Sequence, residues 1–127
     1  MHRTIWGHIK RRLKSFKYAF QGLFYVFRTQ TNMQIHAFAM ILVVVVGVFF
    51  KISSSEWLFI TLAVALVMVS EIVNTAIEEI VNFISPDFHK QAGLIKDLGA
   101  AFVLLAAIFA IVVGIIIFLP KFLLLFS

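Results

Sequence analysis

The chain has 127 residues, of which 62% are hydrophobic and 13% charged, with a formal net charge of +5 and no cysteine. Soluble domains run at about half apolar and about a quarter charged, so this balance excludes an ordinary soluble globule and points to a one-domain integral membrane protein, residues 1–127. The lack of cysteine excludes disulfides, zinc thiolates and thiol nucleophiles.

The charge is unevenly placed. Seven of the eleven Lys and Arg residues precede residue 36 (Arg3, Lys10, Arg11, Arg12, Lys14, Lys17 and Arg28), and no acidic residue occurs before Glu56. A basic arm suits nucleic acid or an anionic membrane surface; in so apolar a chain the membrane is the expected partner and nucleic acid is not. The basic region is too long for a secretory leader, and no small-residue cleavage site follows an apolar run. Within it Ile9, Leu13, Phe16, Phe20, Leu23 and Phe27 recur at spacings of three and four. That period predicts an amphipathic helix over about 5–28, lying in the headgroup region with its aromatics sunk and its cations near phosphates. On these residues alone it is either an anchor or part of a substrate-binding surface.

Three apolar segments follow, predicted as spans over about 33–50, 57–82 and 98–119. The third holds 22 residues without a charge, roughly 33 Å at ~1.5 Å per residue, against a hydrocarbon core of about 30 Å. Pro120 and Lys121 are expected to end it. The cationic arm sets the N-terminus in the cytoplasm. Loop 51–56 is then outside, loop 85–97 inside, and the C-terminus outside. The expected class is all-α integral membrane: one surface helix and three spanning helices.

The second span carries the chemistry. Glu71, Asn74, Glu78 and Asn82 are spaced by three, four and four. At ~3.6 residues per turn they fall within about 80° of one another, opposite Ile72, Ala76, Ile80 and Phe83. An ionisable group near the bilayer centre costs at least ~2.5 kcal/mol and usually faces protein or marks a site. The plainer reading leaves Glu71 and Glu78 as charges at the water interface. Glu79 points elsewhere and is expected to be solvated. Two carboxylates and an amide on one stripe suit a divalent cation, which takes oxygen ligands and shares them with phosphate, or a proton-transfer role. Lys96 and Asp97, in the loop on the same side, add a cation for an anionic phosphate. An ion-coupled carrier using Glu71 is the reading of another class, although the stripe sits at one face rather than the midplane. No Gly-rich phosphate loop is present, and His2, His8, His36 and His89 show no metal-ligand spacing. His36 is expected to be an interfacial residue at the start of the first span.

The string "EIVNTAIEEIVNFI", followed by a histidine and "IKDLGAAFVLLAA", closely resembles the small prokaryotic diacylglycerol kinase family, which includes the undecaprenol kinases. The resemblance covers about residues 10–120, including "FKYAFQGLFYVFR" and the "IH" at 35–36. It implies a homotrimer of three-helix subunits in the cell inner (plasma) membrane, with active sites shared between neighbours on the cytoplasmic side. It also implies transfer of the ATP γ-phosphate, with Mg2+, to the primary hydroxyl of a membrane lipid alcohol, diacylglycerol ahead of undecaprenol, with a catalytically altered member of the family as the alternative. Glu71 matches the general base and Asn74 the motif asparagine. Glu78 matches a metal ligand that also meets the nucleotide, and Lys96 and Asp97 match nucleotide-binding positions. Arg11, Tyr18 and His89 fall where nucleotide or substrate is contacted. Two departures stand out. Gln30 occupies the place of a second metal-binding glutamate, offering a carbonyl oxygen without charge, and Asn82 replaces a usual aspartate.

Overall fold

The computed structural model describes residues 4–127 and is all-helical over them; Arg3 of the basic arm, like His2, lies outside the described residues. Four helices follow in chain order: α1 Ile5–Thr29, α2 Thr31–Phe49, α3 Ser54–Ile84 and α4 Lys90–Leu125. The surface helix and three long apolar helices are those expected. α2, α3 and α4 have the length and composition to cross a membrane, which makes this a multi-pass membrane protein.

Each boundary has a local cause. Gln30 is the single break between α1 and α2; its extended backbone (φ −103°, ψ 110°) turns the chain out of the surface helix and into the first span. Between α2 and α3, Lys51 takes a left-handed φ of 51°. Ser53 then caps α3 reciprocally with Glu56: the Glu56 amide donates to the Ser53 hydroxyl and the Ser53 amide to the Glu56 carboxylate. His89 caps α4, its Nδ1 accepting from the Gln91 amide.

The third span differs from its expected bounds at both ends. It begins at Lys90 rather than 98, so Lys96 and Asp97 stand on a helix and not in a loop. An absence of charge marks the part of a helix that lipid surrounds, not where the helix starts. It also continues through Pro120 to Leu125. A membrane helix tolerates proline where neighbouring groups take up the disturbed carbonyls. Pro120 deprives the Ile116 carbonyl of its amide donor, and at the next carbonyl the Lys121 ammonium donates to Ile117 at 3.2 Å and pairs with Glu56 at 2.6 Å.

At ~1.5 Å per residue the 31 residues of α3 and the 36 of α4 reach roughly 46 and 54 Å. Both exceed a hydrocarbon core of about 30 Å, so the end that joins them has length enough to stand in the headgroup region. α3 and α4 form the principal packed pair, while α1 touches α2 and α3. At the opposite end Ile52, Ile60, Ile117 and Phe118 form a buried cluster, flanked by Trp57 and Phe50. The outward apolar side chains, Phe38, Leu62 and Ile116 among them, are exposed, as lipid-facing residues must be.

Candidate active site

The polar stripe of α3 is real, and it is graded in burial. Glu71 is 2% exposed and Asn74 7%, Glu78 is half-buried, and Asn82 is exposed. The two deepest groups are therefore enclosed by the chain's own helices. This contradicts the reading of Glu71 as a charge at the water interface. A buried carboxylate is costly unless it is paired. Glu71 finds its partner on α2, where His36 Nε2 lies 3.1 Å from its Oε1. Around it the Thr75 hydroxyl donates to the Glu71 carbonyl at 2.8 Å and the buried Ser70 hydroxyl to the Val67 carbonyl at 2.7 Å. The neighbouring hydroxyls are thus used on backbone carbonyls.

Asn74 is held differently. Its side chain faces Gly99 of α4, where an added Cβ would collide with Oδ1. Only glycine allows that approach, and it sits three residues beyond Lys96 on the same helix. The Asn74 Oδ1 is buried and has no hydrogen-bond partner among the described residues. Buried acceptors are nearly always satisfied, so an orphan beside a buried carboxylate is the mark of a group awaiting a donor.

One turn outward, the Glu78 side chain makes no hydrogen bond or ion pair among the described residues. At the end of the stripe Lys96 Nζ donates to Asn82 Oδ1. This contact joins α3 to α4 and brings the lysine onto the stripe, from a helical turn rather than from a loop. Lys96, Asn82 and His89 line one small cavity of about 140 Å³, together with Ser85, Asp87 and Gly93. Asp97 is exposed beside it on α4.

The remaining candidates stand apart. Gln30 is half-buried at the α1–α2 break, its amide donating to the Thr29 hydroxyl at 3.2 Å. Arg11 and Tyr18 are exposed on α1. Arg11 bonds the Gly7 carbonyl of its own helix at 3.4 Å. Among the described residues neither makes a hydrogen bond or ion pair outside α1, so one chain does not bring them to the stripe.

Two residues escape the sequence reading. His36, expected to be merely interfacial, sits inside α2 as the partner of Glu71. Tyr25 donates its phenol proton to Glu79 Oε1 at 2.9 Å. Glu79, expected to be a solvated charge, is thus exposed but tethered to the surface helix. A cleft of about 460 Å³ opens between α1 and α3 there, lined by Phe16, Phe20, Leu23, Ile72 and Ala76.

Fold and candidate site together define a multi-pass helical membrane protein whose buried and half-buried polar groups project from helices at one end of the bundle. The sequence profile of prokaryotic diacylglycerol kinase matches residues 17–118. The chain is 36% identical over 115 residues to the undecaprenol kinase of Bacillus subtilis, covering 91% of this chain and 94% of that protein. It is 35% identical over 121 residues to a diacylglycerol kinase of Synechocystis, covering 94% of this chain and 69% of that one. To the diacylglycerol kinase of Escherichia coli it is 31% identical over 102 residues, covering 80% and 84%.

The chain belongs to the prokaryotic diacylglycerol kinase family. It is a lipid kinase, a phosphotransferase with a lipid alcohol as acceptor.

Proposed function

We propose that the chain transfers the γ-phosphate of ATP to the primary hydroxyl of diacylglycerol, using magnesium, at the cytoplasmic face of the inner membrane and as a homotrimer. The carrying observation is the buried Glu71 at the head of a stripe that ends on Lys96. Undecaprenol is the second reading, favoured by the near end-to-end similarity to the Bacillus subtilis protein.

Phosphoryl transfer needs positioning and charge neutralisation more than covalent help. The membrane already confines the lipid hydroxyl to the interface. Glu71 accepts the hydroxyl proton as the oxygen attacks the γ-phosphorus, and the bond to the β–γ bridging oxygen breaks to release ADP. Lys96, held on the stripe by Asn82, offsets charge on the transferring group. Asn74, with its free buried oxygen, receives a donor from the bound reactants. His89 lines the small cavity beside Lys96, which would take part of the nucleotide, and Asp97 follows Lys96 on the same helix. Arg11 and Tyr18, without partners beyond α1, fit a nucleotide site completed by a neighbouring subunit.

Among the described residues, no three acidic or histidine side chains converge as a metal cage. Magnesium is commonly held by one or two carboxylates plus substrate phosphates. Glu78, unpaired among the described residues, suits that shared mode, and Gln30, apart from it at the α1–α2 break, would add a neutral oxygen only if bound substrate brings the two together. A bound magnesium would neutralise phosphate charge there.

The test is phosphorylation of diacylglycerol and of undecaprenol, offered separately to the purified protein in nanodiscs with labelled ATP. Wild type is expected to label diacylglycerol, and Glu71→Gln to lose about 10²- to 10⁴-fold, the worth of a general base. Wild-type turnover by Glu71→Gln would remove it from that role. Labelling of undecaprenol alone would move the assignment to the second reading.

A further inference from the structure

The Glu71 carboxylate is bonded from another helix by His36, a residue to which the sequence reading gives no chemical role. We propose that His36 is the positioning residue of the acceptor site: its imidazole holds one oxygen of Glu71 so that the other is presented to the lipid hydroxyl. This rests on the base role given to Glu71 above.

Three observations carry it. His36 Nε2 lies 3.1 Å from Glu71 Oε1, and His36 is the side-chain partner this carboxylate has among the described residues. Glu71 must be ionised to act as a base, so its oxygen only accepts and Nε2 carries the shared proton. One strong charge-assisted bond to Oε1 fixes the carboxylate plane and, among the described residues, leaves Oε2 without a protein partner. Second, the side-chain exposures differ sharply, 24% for His36 against 3% for Glu71. The imidazole is thus the part of the pair that reaches the surface.

Third, the surface it reaches is an apolar cleft of about 350 Å³ between α2, α3 and α4. Met40, Val43, Val67 and Met68 line its walls, and His36 is the one ionisable side chain in its lining. A lipid alcohol approaching along such a cleft meets a hydrocarbon wall first and His36 at one polar point, with the buried Glu71 carboxylate bonded directly behind the imidazole. His36 therefore orients the base where apolar chain and hydroxyl separate. A carboxylate without this bond would be free to rotate about its χ3, which is broad and roughly two-fold, and the reacting distance would be lost for part of the time.

The test compares wild type, His36→Leu and His36→Gln in nanodiscs, titrating lipid alcohol at saturating ATP and then ATP at saturating lipid alcohol. Leucine removes the donor and keeps an apolar side chain in the cleft; glutamine keeps an N–H. His36→Leu is expected to lower kcat about 10- to 100-fold, the scale of a misplaced reacting group, with the KM for ATP unchanged. His36→Gln is expected to recover most of that loss. Both variants are checked for thermal stability and oligomer size.

Wild-type kcat in His36→Leu overturns the proposal. So does a loss in His36→Gln as deep as in His36→Leu, which would make the ring's packing the cause rather than its bond. The wild-type arm stands as a separate control: if it phosphorylates no lipid alcohol, the kinase reading fails, whatever the variants do.

Discussion

The two ends of the helix bundle are built to opposite rules. At the α2–α3 turn the polar groups are matched: Ser53 and Glu56 cap reciprocally, Glu56 pairs with Lys121, and Gly47 admits the Trp57 ring against an apolar cluster. At the α3–α4 end Asn74 Oδ1 is buried without a partner, Glu78 is unpaired among the described residues, and an open cavity lies beside Lys96. Both ends use a glycine to bring helices together, but one approach seats an aromatic ring and the other an amide left unsatisfied. One end thus matches its polar groups throughout, whereas the other mixes matched pairs, His36–Glu71 and Lys96–Asn82, with groups left open, as the proposed reaction would require.

Exchanging the two glycines for alanine is the sharpest way to break that contrast. In Gly99→Ala the new methyl displaces Asn74 from its place beside Glu71. A loss of about 10- to 100-fold in kcat is expected from misplacement of this kind, with a smaller change in unfolding temperature. In Gly47→Ala the methyl would lie 2.7 Å from Trp57 Cη2. Overpacking there is expected to cost about 1–3 kcal/mol, with kcat per folded molecule retained. Detergent unfolding curves and lipid phosphorylation on the same samples check both; equal kinetic damage from the two would erase the division between the ends.

A smaller effect should follow from completing the acidic set. Gln30→Glu adds a negative charge at a position to which the resemblance assigns a metal-binding glutamate. The magnesium concentration for half-maximal activity is expected to fall by about 3- to 10-fold, since affinity for hard cations rises with the charge of the ligand set. Magnesium titration at fixed ATP measures it, and an unchanged midpoint would place Gln30 away from the metal. Smaller again is Lys121→Met at the matched end. It removes the partner of Glu56, so the unfolding temperature should drop slightly and the kcat should stay where it is. A kinetic defect there would contradict the separation.

Much of this architecture is legible because it is periodic. The amphipathic spacing of Ile9 to Phe27 marks α1, and the three-four-four spacing from Glu71 to Asn82 marks one face of α3. The positions of Lys96 and Asn82, fourteen residues apart, can be brought together by an antiparallel pair joined by a short turn. What stays hidden is tertiary. His36 is thirty-five residues from Glu71 and Tyr25 fifty-four from Glu79. No repeat along the chain links such pairs, and a lone histidine in an apolar span carries no signature of its partner. The start of α4 is hidden for another reason. Residues 90–97 are too polar to count as a span, yet the His89 cap and the helix it begins are set by local hydrogen bonds, which hydropathy does not weigh.

The smallest expected effect tests how the surface helix is tied to the reacting end. The Tyr25 phenol donates to Glu79, and that bond, with the negative charge behind it, raises the phenol above its ordinary value of about 10. A raised value means that the bond's contribution is whole below the unfolded pKa and is lost as pH climbs through the higher folded one. Docking of α1 should therefore be indifferent to pH around neutrality and loosen only in alkaline solution. Tyr25 and Tyr18 are the two tyrosines of the chain, so a Tyr18→Phe background leaves a single phenol to follow by its ultraviolet absorbance. Adding Glu79→Gln should return its titration toward the ordinary value, with little change in lipid phosphorylation at neutral pH. Identical titrations before and after the Glu79→Gln substitution would show that this tether does not form, leaving the docking of α1 to apolar burial such as that of Val26.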